Sequence, residues 1–135
     1  MPWQEYVDNA LISHGSISKA GIYGFNETSD ISSQSVEKWA SRNFDPSVEE
    51  LKLILTSFID PQQIVAQGIF LEGTKFVCLS TNTSTIVGKR TTCGCVVMKT
   101  TRCLIVAVYE SPSKNAVAAL CTVSKLAEYL KANEF

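Results

Sequence analysis

Between Ile64 and Tyr109 the chain is a succession of short runs rich in β-branched and aromatic residues, each bounded by turn residues. Ala66–Leu71 and Thr74–Ser80 flank Glu72-Gly73, where the glycine supplies the positive φ of a tight hairpin. Asn82-Thr83-Ser84 separates that second run from Thr85–Thr91, and Cys95–Lys99 and Cys103–Tyr109 follow with Thr100 to Arg102 as their turn. A parallel pair would need a crossover of roughly a dozen residues or more, so these short links predict an antiparallel meander of sequential strands. Leu104-Ile105-Val106-Ala107-Val108 is apolar at every position, whereas a sheet wetted on one face alternates. Both faces of this sheet need a cover.

Three segments have the spacing to provide it. Pro2 to Leu11 carries Trp3, Tyr6, Val7, Ala10 and Leu11 on one face of a 3.6-residue helix, and Pro2 suits a first turn because its missing N–H would have no partner there. Asp45-Pro46 predicts an N-cap and first helical residue. Glu49 and Glu50 then sit at the positive end of the helix dipole, Val48, Leu51, Ile54, Leu55 and Phe58 keep helical spacing, and Asp60-Pro61 supplies the stop. The last helix opens at Ser111-Pro112-Ser113 with Val117, Leu120, Val123, Ala127 and Leu130 on its apolar face. Ala20–Phe25 and Val36–Ala40 read as two further strands, set off by loops at Ser13 to Ser18 and Asn26 to Gln34. The order of elements predicts an α+β fold around a central antiparallel sheet. Trp3 and Tyr6 stand apart from the other helix positions: large aromatics in a first turn lie beside a fraying end, where burial is hardest to complete. They are candidates for a surface site.

A chain of 135 residues can bury enough surface to fold as one domain. Its formal charge of −1 supplies no global attraction to nucleic acid or membrane, so an anionic partner must be met by a local patch. No apolar run approaches a membrane span, and Met1-Pro2-Trp3-Gln4-Glu5 lacks the regions of a signal peptide, so a cytoplasmic protein is expected. In that compartment Cys78, Cys93, Cys95, Cys103 and Cys121 read as free thiols serving as small buried side chains. Cys93-Gly94-Cys95 has no second ligand pair and His14 is the one histidine, which argues against a zinc site. Asn26-Glu27-Thr28 and Asn82-Thr83-Ser84 match a glycosylation pattern that needs a secretory route, for which the sequence offers no signal.

Short motifs along the whole length resemble the profilin family. Trp3-Gln4-Glu5-Tyr6-Val7-Asp8 matches its Trp-x-x-Tyr-x-Asp, Trp39-Ala40 its internal Trp-Ala, Gly73-Thr74-Lys75-Phe76 its Gly-Thr-Lys-aromatic hairpin, and Gly88-Lys89-Arg90 its basic Gly-Lys-Lys/Arg. Val97-Met98-Lys99-Thr100 and Leu126-Ala127-Glu128-Tyr129-Leu130 complete the series. The resemblance implies a sheet of about seven strands, with the N- and C-terminal helices packed together on one face and a shorter helix on the other. It also implies a monomer, without cofactor or catalytic chemistry, that binds monomeric actin, proline-rich segments of formin-type assembly factors, and phosphoinositide head groups.

By the same resemblance the proline-binding positions fall on Trp3, Tyr6, Trp39, Tyr129, Leu130 and Phe135. The physics suits such a ligand: a polyproline II segment is already extended, flat aromatic faces pack its rings, and an indole N–H or phenol O–H meets its carbonyls. The actin positions fall on Lys75, Val77, Leu79, Lys89, Arg90, Lys114, Asn115 and Lys125, a basic rim around an apolar centre that suits an acidic partner. Lys89 and Arg90, with Lys99 and Arg102, are the phosphoinositide candidates.

The chain departs from the family pattern in three places: a longer loop at Asn26 to Gln34, Thr91-Thr92-Cys93-Gly94-Cys95 in a stretch often richer in glycine, and a longer link from Ser111 to Asn115. The changed actin-facing loop makes a profilin-like adaptor, binding proline-rich ligands with little actin affinity, the alternative reading. An enzyme using His14 with a cysteine has no supporting motif.

Overall fold

The computed structural model describes residues 3–11, 17–25, 36–42, 44–58, 60–82, 84–90, 93–110 and 116–135. Its strands are β1 (Lys19–Phe25), β2 (Val36–Arg42), β3 (Ile69–Leu71), β4 (Thr74–Thr81), β5 (Thr85–Arg90), β6 (Cys93–Lys99) and β7 (Cys103–Glu110). They form one antiparallel sheet in the order β2-β1-β7-β6-β5-β4-β3. The meander expected from the short links therefore runs from β3 to β7, and the β1–β2 hairpin extends it along the free side of β7.

Two cores lie on the two faces, and strand alternation divides the residues between them. Ile22, Val96, Ile105 and Ala107 face the first and last helices, where Val7, Leu11, Val123, Leu126 and Leu130 complete the packing. Tyr23, Val97, Leu104 and Val106 face the opposite way, against Leu51, Ile54, Phe58 and Ile64 of the helices between β2 and β3. This is why the run from Leu104 to Val108 is apolar throughout: each of its side chains is buried on one face or the other.

Several elements depart from the sequence reading. The first helix is a single α turn, α1 (Trp3–Glu5), that widens into a π-helical segment, Tyr6–Leu11. Val7 and Leu11 are fully buried by it, and the side chain of Ala10 is outside the described residues. The second helix, α2 (Val48–Ser57), starts after Pro46, and its N-cap is Ser47 instead of Asp45. Ser47 Oγ accepts the Glu50 N–H at 3.2 Å while the Glu50 carboxylate accepts the Ser47 N–H at 2.9 Å, a reciprocal pairing that satisfies two backbone donors and outcompetes the Asp45-Pro46 start. A short helix, α3 (Gln62–Gln67), occupies residues the sequence reading gave in part to a strand beginning at Ala66. Gly68, at φ 95°, ends it, so β3 holds only three residues. Pro61 before and Gly68 after this segment are the helix-bounding signals that could have revealed it.

The expected hairpin turn is present, with Glu72 at φ 52° and Gly73 at φ 77°, the two positive angles of a type I′ turn. Glu72 tolerates its angle because the Glu50 carboxylate receives the Glu72 N–H at 2.9 Å and the Gly73 N–H at 2.8 Å. The last helix is described as α4 (Ala116–Ala132), and its expected opening at Ser111-Pro112-Ser113 lies outside the described residues. Val117, read as part of its apolar face, is 72% exposed, while Ala119 and Leu126 are buried instead. All the cysteines are free, but only Cys95 and Cys103 are buried; Cys78 and Cys93 are half-buried and Cys121 is exposed on α4. Burial pushes the Cys95 thiol up to about 12 and the Cys103 thiol up to about 11, so both stay protonated and unreactive.

Candidate functional site

The face shared by the first and last helices carries a continuous cluster of aromatic rings. Trp3 and Trp39 lie nearly face to face, with centroids 4.5 Å apart and planes inclined by 32°. Tyr6 meets Trp3 edge-on at 5.7 Å, and Tyr129 meets Tyr6 edge-on at 5.8 Å. Phe135 presents its edge to both tryptophans, at 5.1 Å from Trp3 and 6.3 Å from Trp39. These separations are those of favourable aromatic pairs. The rings remain partly open, and Tyr129 is 50% exposed. The neighbouring Tyr129 hydroxyl, and after it desolvation, raise the Tyr6 phenol above its ordinary pKa, so that it keeps its proton.

Each ring has a local structural cause. Trp39 is the extra residue of a bulge in β2: Ile22 of β1 pairs with Ala40 and Tyr23 with Lys38, leaving Trp39 unopposed and free to swing onto the helix face. Gly24 makes room for it, since a Cβ there would lie 2.3 Å from the indole. Trp3 is held against Trp39 by polar ties from the first helix to β2: the Gln4 side-chain amide donates to Ser41 O at 3.0 Å, and Arg42 pairs with Asp8 at 3.5 Å. Phe135 arrives through a helix-ending turn in which Glu134 adopts φ 68°, the Phe135 N–H reaches Leu130 O at 2.8 Å, and the Glu134 N–H reaches Lys131 O at 3.1 Å. Leu130 itself, expected as a groove position, is fully buried, so it forms the floor beneath the rings and not a wall.

The other expected residues divide less neatly. Phe76 of β4 faces the α2 side, which turns Lys75 and Val77 to the face of the first and last helices. Val77 stands directly opposite Lys89 of β5 and is 60% exposed. Leu79 is the unpaired residue of a bulge between Cys78 and Ser80, and is 57% exposed. Arg90, adjacent to Lys89, points to the opposite face, where it lines a cleft of about 240 Å³ with Lys19, Glu72, Cys93 and Glu110. The two basic side chains are thus on different sides of the strand. Lys125 lies on the exposed side of α4, and Lys114 and Asn115 are outside the described residues, as are the changed loop residues Thr91 and Thr92 and the long loop from Asn26.

The four phosphoinositide candidates do not form one cluster. Lys89 pairs with Gly94 at one end of β6 and Lys99 lies at its other end, about 17 Å away at the usual rise per residue. Lys99 is over the Phe25 ring at 5.4 Å and Arg102 beside the Phe135 ring at 6.0 Å. Sequence reasoning missed the bulges at Trp39 and Leu79; for the first, Gly24 within the neighbouring strand, where the indole packs, was the available signal. Among the described residues no group of His, Cys, Asp and Glu could hold a metal ion, and no helix is long and apolar enough to cross a membrane.

A curled antiparallel sheet with its first and last helices side by side, and aromatic rings gathered where they meet, defines a protein built to present an open apolar surface. The profile of the Profilin family matches residues 1–135. The chain is 32% identical to Profilin-3 of Caenorhabditis elegans, with 100% of both chains covered. Profilin IB of Acanthamoeba castellanii superposes with a TM-score of 0.86 at 28% identity, covering 98% of this chain and 99% of that one. Mouse profilin IIa, solved in complex with a double repeat from the FH1 domain of mDia1, shares the fold with a TM-score of 0.78 at 19% identity, covering 100% of each chain. The chain belongs to the profilin family.

Proposed function

We propose that the ring cluster binds proline-rich segments of actin assembly factors, and that the outer surface of β4 and β5 binds monomeric actin, so that the protein regulates actin polymerisation in the cytoplasm. The observation that carries the first half is the convergence of Trp3, Tyr6, Trp39, Tyr129 and Phe135 from separate elements into one partly open surface. A polyproline II strand advances about 3.1 Å per residue, so every second residue advances about 6 Å, close to the 5.7 and 5.8 Å that separate Trp3, Tyr6 and Tyr129. The bound FH1 repeat of the mouse relative supports the same reading. Apolar Val77 beside Lys75 and Lys89 supports the second half, an apolar centre with cationic neighbours facing an acidic partner. An anionic lipid head group would meet Lys89 on that surface, too far from Lys99 and Arg102 to engage them together.

Trp3 and Trp39 are the only tryptophans and both lie in the cluster, so saturating decaproline should change the intrinsic fluorescence. Trp3→Ala should weaken calorimetric binding by about 2 kcal/mol, the cost of losing an interface anchor. Wild-type protein that neither changes fluorescence nor releases heat would overturn the groove assignment. If it binds decaproline yet leaves actin polymerisation unchanged, the adaptor reading replaces the actin half.

A further inference from the structure

Phe135 is the ring most in need of external support. Its edge closes the surface against Trp3 and Trp39, but the backbone reaches it through Glu134 at φ 68°, a left-handed angle that side chains other than glycine rarely adopt. The support comes from the turn between β6 and β7. The Thr100 hydroxyl, in a residue only 4% exposed, lies 2.8 Å from the Phe135 main-chain oxygen, and the Arg102 backbone N–H donates to the same oxygen.

The hydrogen-bond inventory of Thr100 identifies where its proton goes. A threonine hydroxyl has one proton to give and lone pairs to receive. Two acceptors lie in reach, Cys103 O at 3.1 Å and the Phe135 main-chain oxygen at 2.8 Å, and the second is the nearer. The Thr100 hydroxyl oxygen in turn accepts the Cys103 N–H at 3.2 Å, and the Cys103 thiol at 2.9 Å holds it from another side. Both Thr100 and Cys103 are buried, so the hydroxyl cannot turn to water without losing these partners.

From this geometry we infer that Thr100 is a positioning residue for the aromatic surface: it touches no ligand, but its hydroxyl latches the Phe135 backbone and thereby sets the ring edge against Trp3 and Trp39. The inference rests on the proline-binding reading of the surface and adds to it a residue outside the ring cluster. It also explains why the turn from Thr100 to Arg102, remote in sequence from every ring, bears on affinity.

The test is a double-mutant cycle read by calorimetry with decaproline. Thr100→Val, close to isosteric but without the hydroxyl, should weaken binding by roughly tenfold, within the range for a lost buried hydrogen bond. Thr100→Ser, which restores the hydroxyl, should return affinity to within about twofold of wild type, and Thr100→Ala covers the case in which the valine variant does not fold. In a Phe135→Ala background, Thr100→Val should weaken binding by no more than about twofold, because the group it positions is gone. Wild-type affinity in Thr100→Val, or an equal loss with and without Phe135, overturns the inference. A readout without ligand separates this from failure of the groove reading: the Trp3 indole N–H resonance should move in Thr100→Val toward its position in Phe135→Ala. An unmoved resonance overturns the latch even if no peptide binds, whereas a moved one with no peptide binding overturns only the groove reading.

Discussion

Gly24 and Trp39 illustrate how single positions control the aromatic surface. The indole occupies the space a Cβ on Gly24 would take, approaching within 2.3 Å of it, and strand backbone on both sides leaves Gly24 little room to retreat. Gly24→Ala should therefore push Trp39 off Trp3, reduce the near-ultraviolet circular dichroism of the tryptophan pair, and weaken decaproline binding by on the order of tenfold, with a smaller effect on melting temperature. An unchanged tryptophan spectrum would show that the indole keeps its place on Trp3 without the room Gly24 provides. The same scale explains what the sequence concealed. Trp39 was recognisable as a candidate from its place beside Ala40, but the bulge that aims it depends on an unequal pairing of β1 with β2, which no run of residues within β2 encodes. Leu130 is expected in the groove through the family motif it shares with Tyr129, yet consecutive helix residues point about 100° apart, and it is buried where Tyr129 is open.

At the scale of elements, Glu50 joins the start of α2 to the β3–β4 hairpin. Partial burial pushes its carboxyl upward, but the backbone N–H groups of Gly73, Ser47 and Glu72 and the Ser47 hydroxyl outweigh that and hold its pKa below the ordinary 4.5. A carboxyl with a depressed folded-state pKa adds stability that is complete above its unfolded value and is lost as pH falls through the folded one. Denaturant melts should accordingly lose stability below about pH 4.5, and Glu50→Gln should flatten that part of the profile while lowering stability at neutral pH. Ser47→Ala removes the other half of the reciprocal cap and should cost about 1 kcal/mol; a neutral result would return the cap to Asp45. The Ser47-x-x-Glu50 signature was present in the sequence but yielded to the more conspicuous Asp45-Pro46. The third bond set, from Glu50 to the hairpin turn 22 residues later, was not legible, because it exists only once sheet and helix have packed.

For the whole molecule, the sheet order separates the two proposed surfaces. Trp39 lies on β2 and Lys89 on β5, four strand spacings or about 19 Å apart, with α4 packed over β6 and β7 between them. The two sites should act independently. Lys89→Glu should weaken actin monomer binding by on the order of tenfold with decaproline affinity unchanged, Trp3→Ala should do the reverse, and sedimentation should detect actin and peptide bound together. Mutual exclusion of the two ligands would disprove that separation. The order of elements apart from α3, the antiparallel meander, the hairpin at Glu72-Gly73 and the need to cover both sheet faces were determined by the sequence alone, because periodicity and turn chemistry act between near neighbours. Only the tertiary structure decided which side each basic residue serves, turning Lys89 and Arg90 to opposite faces, and only it gathered rings from positions 3, 6, 39, 129 and 135 into one surface. Those residues share no local pattern; they meet because β2 joins the sheet beyond β1 and both helices must bury their apolar faces on the same core.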